Sequence, residues 1–410
     1  MSQRSSTRVI PIRALNTKRA TSGNAVEFHA PLPLSLYVHI PWCVRKCPYC
    51  DFNSHTLRGT LPESDYIAAL IADLEQALPL VWGRRVVSIF LGGGTPSLLS
   101  DTGLDTLLTA IRTRLPLVHD AEITLEANPG TVEAAKFAAF RQAGINRLSL
   151  GIQSFAPHHL RALDRIHDAT QAREAAQLAA HHFDNFNIDL MYGLPGQTVD
   201  EALADVAQAL DFGPTHLSCY QLTIEPNTAF AVSPPILPEP DCCADMQEAI
   251  EHRLAAGGFV HYETSAFAHP QRQCQHNLNY WMFGDYLGIG AGAHSKLTVP
   301  GEGGWQVRRQ MRWKQPSRYL AGVAEGQPLQ DELTVGSDAL PFEFMMNALR
   351  LTGGFDTSLF AARTGLPLSV INAALHRAEN DRLLVHEAGR IAPTQRGQRF
   401  LNRLLELFLV

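Results

Sequence analysis

No run of about eighteen apolar residues occurs in the 410-residue sequence, so no transmembrane helix is expected. No apolar core follows the N-terminal stretch, which argues against a secretory signal. Basic excess is missing too. The net charge is −6, from 34 Lys and Arg against 40 Asp and Glu, and this argues against bulk attraction to nucleic acid or an anionic membrane. Cysteine is scarce: seven residues, an odd number, with no second Cys-x-x-Cys pair. That does not suit a secreted disulfide framework, and structural zinc sites usually pair two such motifs. The remainder, 45% hydrophobic and 18% charged, is ordinary globular composition, long enough for a large core and a second small domain.

What cysteine there is concentrates in HIPWCVRKCPYCDFNSH, residues 39–55. Cys43, Cys47 and Cys50 form Cys-x-x-x-Cys-x-x-Cys. Three thiolates hold three irons of a cubic iron–sulfur cluster that normally takes four cysteines. The fourth iron is then open to a substrate or cofactor, which points to chemistry rather than electron storage. A zinc site or a group of buried free thiols is the competing reading.

Downstream, short apolar runs at 36–40, 86–91, 122–126, 147–151, 187–191 and 216–222 alternate with amphipathic stretches at 63–78, 102–114, 132–143, 170–182 and 199–210. Six strand–helix repeats imply a parallel sheet with helices outside it, an open, partial (β/α)6 TIM-type barrel. In such folds functional residues gather where strands end. The second strand runs into GGGTPS, where Gly93, Gly94 and Thr95 let backbone approach a ligand. The third ends in LEANPG with Glu126 at its tip, and the fourth in RLSLGIQSF with Gln153. Arg165 follows, suited to a bidentate carboxylate pair; Asp168 fits a helix cap equally well. Asp189 on the fifth strand points into a barrel and needs a partner such as a ligand hydroxyl or Arg165.

YVHIPWCVRKCPYCDF resembles the radical S-adenosylmethionine (SAM) superfamily, in its coproporphyrinogen III dehydrogenase branch. The resemblance runs from Leu36 to near the end of the chain. It implies a 4Fe-4S cluster on Cys43, Cys47 and Cys50. It also implies a SAM site using Tyr37, Tyr49, Gly93, Gly94, Thr95, Glu126, Gln153, Arg165 and Asp189. The dehydrogenases carry a further cysteine two places after the third, where this chain has Phe52. CPYCDFNSH is instead similar to the haem-chaperone branch, as is HNLNYW, which matches its H-N-x-x-Y-W element. That implies haem as a third cofactor, with His276, Tyr280 and Trp281 near it. It also implies haem-receiving apoproteins such as membrane-bound respiratory enzymes, and an electron donor. Oxidative decarboxylation of coproporphyrinogen III is the alternative activity.

Four segments result. Residues 1–34, with Arg4, Arg8, Arg13, Lys18 and Arg19 against Glu27 alone, read as a disordered basic tail. Residues 35–265 form the barrel, 266–339 a haem-associated segment and linker, and 340–410 a small α-rich, winged-helix-like domain. The glycines of GDYLGIGAGAHS read as room for a ligand. WQVRRQMRWK mixes Arg308, Arg309, Arg312 and Lys314 with two tryptophans, suited to nucleic acid or to tetrapyrrole propionates. Residues 340–410 hold eight Arg and no Lys against six acids, too neutral for a DNA-binding wing. Free cysteines and an oxygen-sensitive cluster suit the cytoplasm, and the resemblance adds peripheral contact with membrane-bound acceptors.

Overall fold

A computed structural model describes residues 27–409, apart from 29, 130–133 and 302–303. Most of the expected basic tail therefore lies outside the described residues. Six parallel strands stand side by side in chain order: β1 (Leu34–Ile40), β2 (Val86–Gly93), β3 (Leu117–Ala127), β4 (Arg147–Gln153), β5 (Phe186–Tyr192) and β6 (His216–Gln221). Helices α1 (Glu63–Val81), α2 (Asp101–Arg114), α3 (Ala134–Ala143), α4 (Ala169–His182), α5 (Val199–Asp211) and α6 (Pro240–Ala256) cover their outer face. This is the expected open (β/α)6 barrel.

Strand alternation sets up both faces. Leu34, Leu36, Val38 and Ile40 of β1 are at most 1% exposed and join the helices' apolar stripes, such as Tyr66, Leu70 and Leu74 of α1. Burial of each such side chain contributes about 1.5–3 kcal/mol. The intervening Ser35, Tyr37 and His39 face the lumen, as do Ser88 and Phe90 of β2. Caps fix where helices start: Ser100 accepts from Gly103 at α2, and Asp168 and Thr198 build capping boxes at α4 and α5. Asp168 is thus a cap, at about 0.5–2 kcal/mol.

The sheet extends beyond the six strands to twelve. Past β6 come β7 (Val260–Glu263) and β8 (Ala266–Ala268), antiparallel. On the other side β9 (Asp285–Ile289) pairs parallel with β1, in register Leu34 to Asp285 and Val38 to Ile289. Antiparallel β10 (His294–Gly301), β11 (Gly304–Arg312) and β12 (Leu329–Val335) follow. Residues 266–339 are therefore largely built into the sheet. The glycine run serves this join: a Cβ on Gly288 would stand 2.1 Å from the His294 carbonyl, and one on Gly290 2.4 Å from the His39 carbonyl. The close backbone approach is to the protein's own β1 and β10.

Between β8 and β9 a short helix, α7 (Gln275–Trp281), crosses the N-terminal end of the barrel. The C-terminal unit comprises α8 (Leu340–Ala348), α9 (Thr357–Thr364), α10 (Asn372–Asn380), two short last helices, Gln395–Arg399 and Leu401–Glu406, and three short strands, Phe355–Asp356, Leu384–Glu387 and Arg390–Pro393. Its core centres on Phe344, which meets Phe283, Phe355 and Phe360 edge-on at 5.0–5.8 Å. Phe28 and Leu32 are buried in the same core.

Candidate functional site

The cysteine loop leaves β1 at the C-terminal mouth of the barrel. All seven cysteines of the chain are free thiols, and the loop's Cys43, Cys47 and Cys50 are half-buried. Local bonds shape the loop. Lys46 donates to the carbonyls of Phe52 (3.0 Å) and Ser54 (3.2 Å), and Cys50 Sγ lies 3.8 Å from Ser54 Oγ. Asn53 Nδ2 ties the loop to the Ala291 and Lys314 carbonyls at 2.9 and 3.0 Å. His39 Nε2 lies 2.9 Å from the Asn53 carbonyl and its Nδ1 2.9 Å from Tyr37 Oη. Burial pushes the Cys43 and Cys50 thiols upward.

Arg165 reaches across from the segment after β4. Its Nη1 lies 3.3 Å from Cys47 Sγ and 3.4 Å from Tyr49 Oη, and Nη2 donates to Asn128 and to the Gly151 carbonyl (2.6 Å). These contacts tie the guanidinium to the cysteine loop and to the ends of β3 and β4. Asp189 meets Asn187 (2.7 Å) and Ser149 (3.3 Å), not Arg165.

The turn after β2 needs glycine. Gly93 has φ +112°, and a Cβ there would stand 2.4 Å from the His39 ring; one on Gly94 would stand 2.5 Å from the Trp42 carbonyl. The Gly93 amide donates to Glu126 Oε2 at 3.0 Å, and Thr95 Oγ1 accepts from Asn128 at 3.0 Å. Burial, then the charge of Asp189, pushes Glu126 up to about 7, while the Gly93 amide and Arg147 pull it back. Burial also raises Asp189. Gln153 holds φ +71°, an uncommon value for a residue with a Cβ, and Tyr220 donates to its Oε1. Tyr37, Tyr49, residues 93–95, Glu126, Gln153, Arg165 and Asp189 thus come from five different strand ends onto one mouth and upper lumen. Asn53, Asn128 and Tyr220 belong to the same network and were missed. Asn128 had a signal, standing two places after Glu126 in LEANPG.

The lower end of the lumen is closed by α7. Glu122 of β3 accepts from the Gln275 and His276 amides at 3.1 and 3.2 Å. His276 is 1% exposed; its Nδ1 lies 2.9 Å from Ser88 Oγ and its Nε2 3.0 Å from Tyr280 Oη. Burial, then Arg147, lowers its pKa to about 3, so the ring is neutral. It packs 5.0 Å from Phe90, which stacks 6.3 Å from Tyr37. Trp281 faces the other way, under the Arg350 guanidinium at 4.6 Å, with its indole N–H buried and unpaired. His276 and Tyr280 are therefore inside the barrel, and Trp281 borders the C-terminal unit.

The basic stretch 305–314 is not a free cationic surface. Arg312 is buried against Asp73 at 3.2 Å, and Arg309 pairs with Glu343 at 2.7 Å. Asp73 also accepts from Tyr319 (2.9 Å) and the Gly290 amide (3.2 Å). Sequence reasoning missed this network and a second one, in which Asp285 holds Lys296 at 3.1 Å and Arg84 at 2.9 Å.

The donor set fits a multi-iron cluster better than one zinc ion. A single ion draws its sulfurs close, yet the group of three ligands whose atoms all lie within 4.8 Å among the described residues is His158, His159 and Glu201, not the cysteines. The Arg165 guanidinium beside Cys47 offers a counter-charge for an anionic cluster, and residues 92–94 keep an adjacent backbone clear of Cβ atoms.

Comparison with known proteins places the chain in a family. Residues 37–209 match the model of the radical SAM superfamily, and 337–400 that of the HemN C-terminal domain. The chain is 50% identical to the heme chaperone HemW of Escherichia coli, over 92% of this chain and 98% of that one. It is 37% identical to the heme chaperone HemW of Mycobacterium tuberculosis, over 92% and 95%. Among solved structures, the radical SAM enzyme coproporphyrinogen III oxidase (HemN) of E. coli superposes with a TM-score of 0.77 at 26% identity, covering 92% of this chain and 90% of that one.

Proposed function

This chain belongs to the family of the heme chaperone HemW, within the radical SAM proteins, and we propose that it binds haem and hands it to apoproteins such as respiratory enzymes. The observation that carries this is residue 52. HemN shares the fold, so fold does not separate chaperone from decarboxylase. Phe52 does: it stands 60% exposed on the cysteine loop, where the decarboxylating branch carries a further thiol. An apolar ring there cannot ligate metal or relay a proton.

In this reading Cys43, Cys47 and Cys50 hold the 4Fe-4S cluster. The Gly93 and Gly94 backbone, Thr95, Glu126, Gln153, Arg165 and Asp189 hold SAM, with Tyr37 and Tyr49 beside them, and Arg165 also steadies the loop at Cys47. When bound, the cluster and SAM supply one-electron chemistry; the chain's part is to bind, orient and exclude water. His276, Tyr280 and Trp281 form the haem element. The His276 ring is neutral and so in the ligating form. Coordination through it requires giving up its bond to Ser88 or Tyr280. No helix among the described residues is long and apolar enough to cross a membrane. We place the protein in the reducing cytoplasm, meeting membrane-bound acceptors peripherally, with a separate electron donor.

The test uses anaerobically reconstituted protein with SAM and reductant. Haem is titrated by absorbance in one sample, and coproporphyrinogen III is incubated in another. Stoichiometric haem binding, weakened when His276, Tyr280 and Trp281 are replaced together, and no decarboxylated product are expected. Formation of protoporphyrinogen would overturn the assignment. Unchanged haem binding in the triple variant would overturn the haem element.

A further inference from the structure

Outside the cluster mouth, one group of side chains converges without an explanation in the fold. His158 and His159 lie on a short helix, Pro157–Ala162, just after β4, and Glu201 lies in the first turn of α5. Their ligand atoms all fall within 4.8 Å of one another. His158 Nε2 is 3.1 Å from Glu201 Oε1, and His159 Nε2 is 3.8 Å from Glu201 Oε2. The two imidazole rings are 4.0 Å apart.

A surface ion pair between His158 and Glu201 accounts for only part of this. His159 is 1% exposed, and neither of its ring nitrogens has a hydrogen-bond partner. A buried imidazole with two empty nitrogens is an exception that needs a reason. Glu201 already spends Oε2 on the Thr198 amide (2.9 Å) and hydroxyl (3.0 Å), which fixes the carboxylate and turns Oε1 toward His158. The His158 side chain is 53% exposed, so an ion has a path in.

From this arrangement we propose that His158, His159 and Glu201 bind a divalent transition cation of the zinc type. Two imidazoles and one carboxylate are ligands such ions accept, with a fourth position left to water. Tetrahedral coordination at ordinary Zn–N and Zn–O lengths places ligand atoms about 3.3 Å apart; His158 Nε2 and Glu201 Oε1 stand at 3.1 Å, and one ligand atom from each of the three residues lies within 4.8 Å of the others. The site uses none of the cysteines. It clamps the segment that carries Arg165, whose amide bonds the Leu160 carbonyl at 2.9 Å, against the start of α5. The ion is therefore a brace at the flank of the cluster mouth.

The experiment uses the full chain with its cluster loaded anaerobically, so that iron occupies the cysteines. It is dialysed against buffered micromolar Zn2+, and iron and zinc per chain are counted by elemental analysis. One zinc per chain is expected at unchanged iron. His158→Ala and Glu201→Gln should each weaken zinc binding by at least about tenfold while keeping the iron. Glutamine preserves the cap at Thr198, and His158 is exposed, so both variants should fold. Zinc should also raise the melting temperature of the parent and not of the variants. Absence of zinc from the parent, or equal zinc affinity in parent and both variants, would overturn the site.

Discussion

Replacing Glu126 with glutamine separates its charge from its shape. The amide keeps an oxygen for the Gly93 N–H, which lies 3.0 Å from Oε2 in the parent, but carries no charge and does not titrate. With burial and Asp189 pushing Glu126 up to about 7, roughly one molecule in eleven is ionised at pH 6 and roughly ten in eleven at pH 8. If the cationic end of SAM needs the carboxylate, its affinity should fall roughly tenfold from pH 8 to pH 6 on this account. Groups on SAM titrate equally with parent and variant, so the ratio of their dissociation constants isolates Glu126. Stability gives an independent reading. A folded pKa raised from 4.5 to about 7 means a stabilising contribution fully present below 4.5 and lost as pH rises through 7. The shift corresponds to ~3 kcal/mol. Denaturant titrations of the cluster-free protein at pH 5 and pH 8 should show the parent losing stability that Glu126→Gln keeps. Equilibrium dialysis of SAM on cluster-loaded protein should show the steeper slope in the parent. Parallel pH slopes for parent and variant in both measurements would refute the raised pKa and the role built on it.

Two further substitutions probe the scaffold. Gly93→Ala places a Cβ 2.4 Å from the His39 ring at φ +112°, and should cost about 1–3 kcal/mol together with SAM affinity. Gly196→Ala is the control, since φ is +69° with nothing within 4 Å; it should cost about 1–2 kcal/mol and leave SAM binding intact. Asp73→Ala leaves Arg312 buried without its partner, for an expected loss of about 3–5 kcal/mol in denaturant unfolding; a loss below 1 kcal/mol would show that the pair is dispensable.

How much of this was legible in the sequence depends on the distance between partners. The six barrel strands were legible because each is a local run whose alternation and flanking turns announce it. The cysteine triad was legible because its three members span eight residues. Strand-end placement then carried Gly93, Glu126 and Gln153 to one mouth, with Asp189 within the lumen below it, without knowledge of any contact. Partnerships across the chain were not legible. Arg312 meets Asp73 across 239 residues, and Asn53 meets Lys314 across 261. No local pattern distinguishes an arginine destined for such a pair from one that faces water. That is why 305–314 read as a cationic surface. The glycines at 288 and 290 misled for a related reason. Glycine reports that backbone comes close to something, and only the fold shows whether that something is a ligand or another strand.

His276 joins both kinds of legibility. Its motif was readable, but its position against both Phe90 and Tyr37 was not, because β1, β2 and α7 meet there from far-apart stretches of chain. That placement bears on function. Three rings meet as a triangle, Tyr37 to Phe90 at 6.3 Å, Phe90 to His276 at 5.0 Å and Tyr37 to His276 at 6.4 Å, so a change at any one must be accommodated by the same packed cluster. Tyr37 borders the proposed SAM site, and His276 belongs to the segment proposed to take haem. Occupancy of one site is therefore expected to alter affinity at the other, and the coupling must be equal in both directions. Haem titrations with and without SAM, set against SAM titrations with and without haem, should yield the same ratio. Unit ratios in both would mean that the two sites act independently.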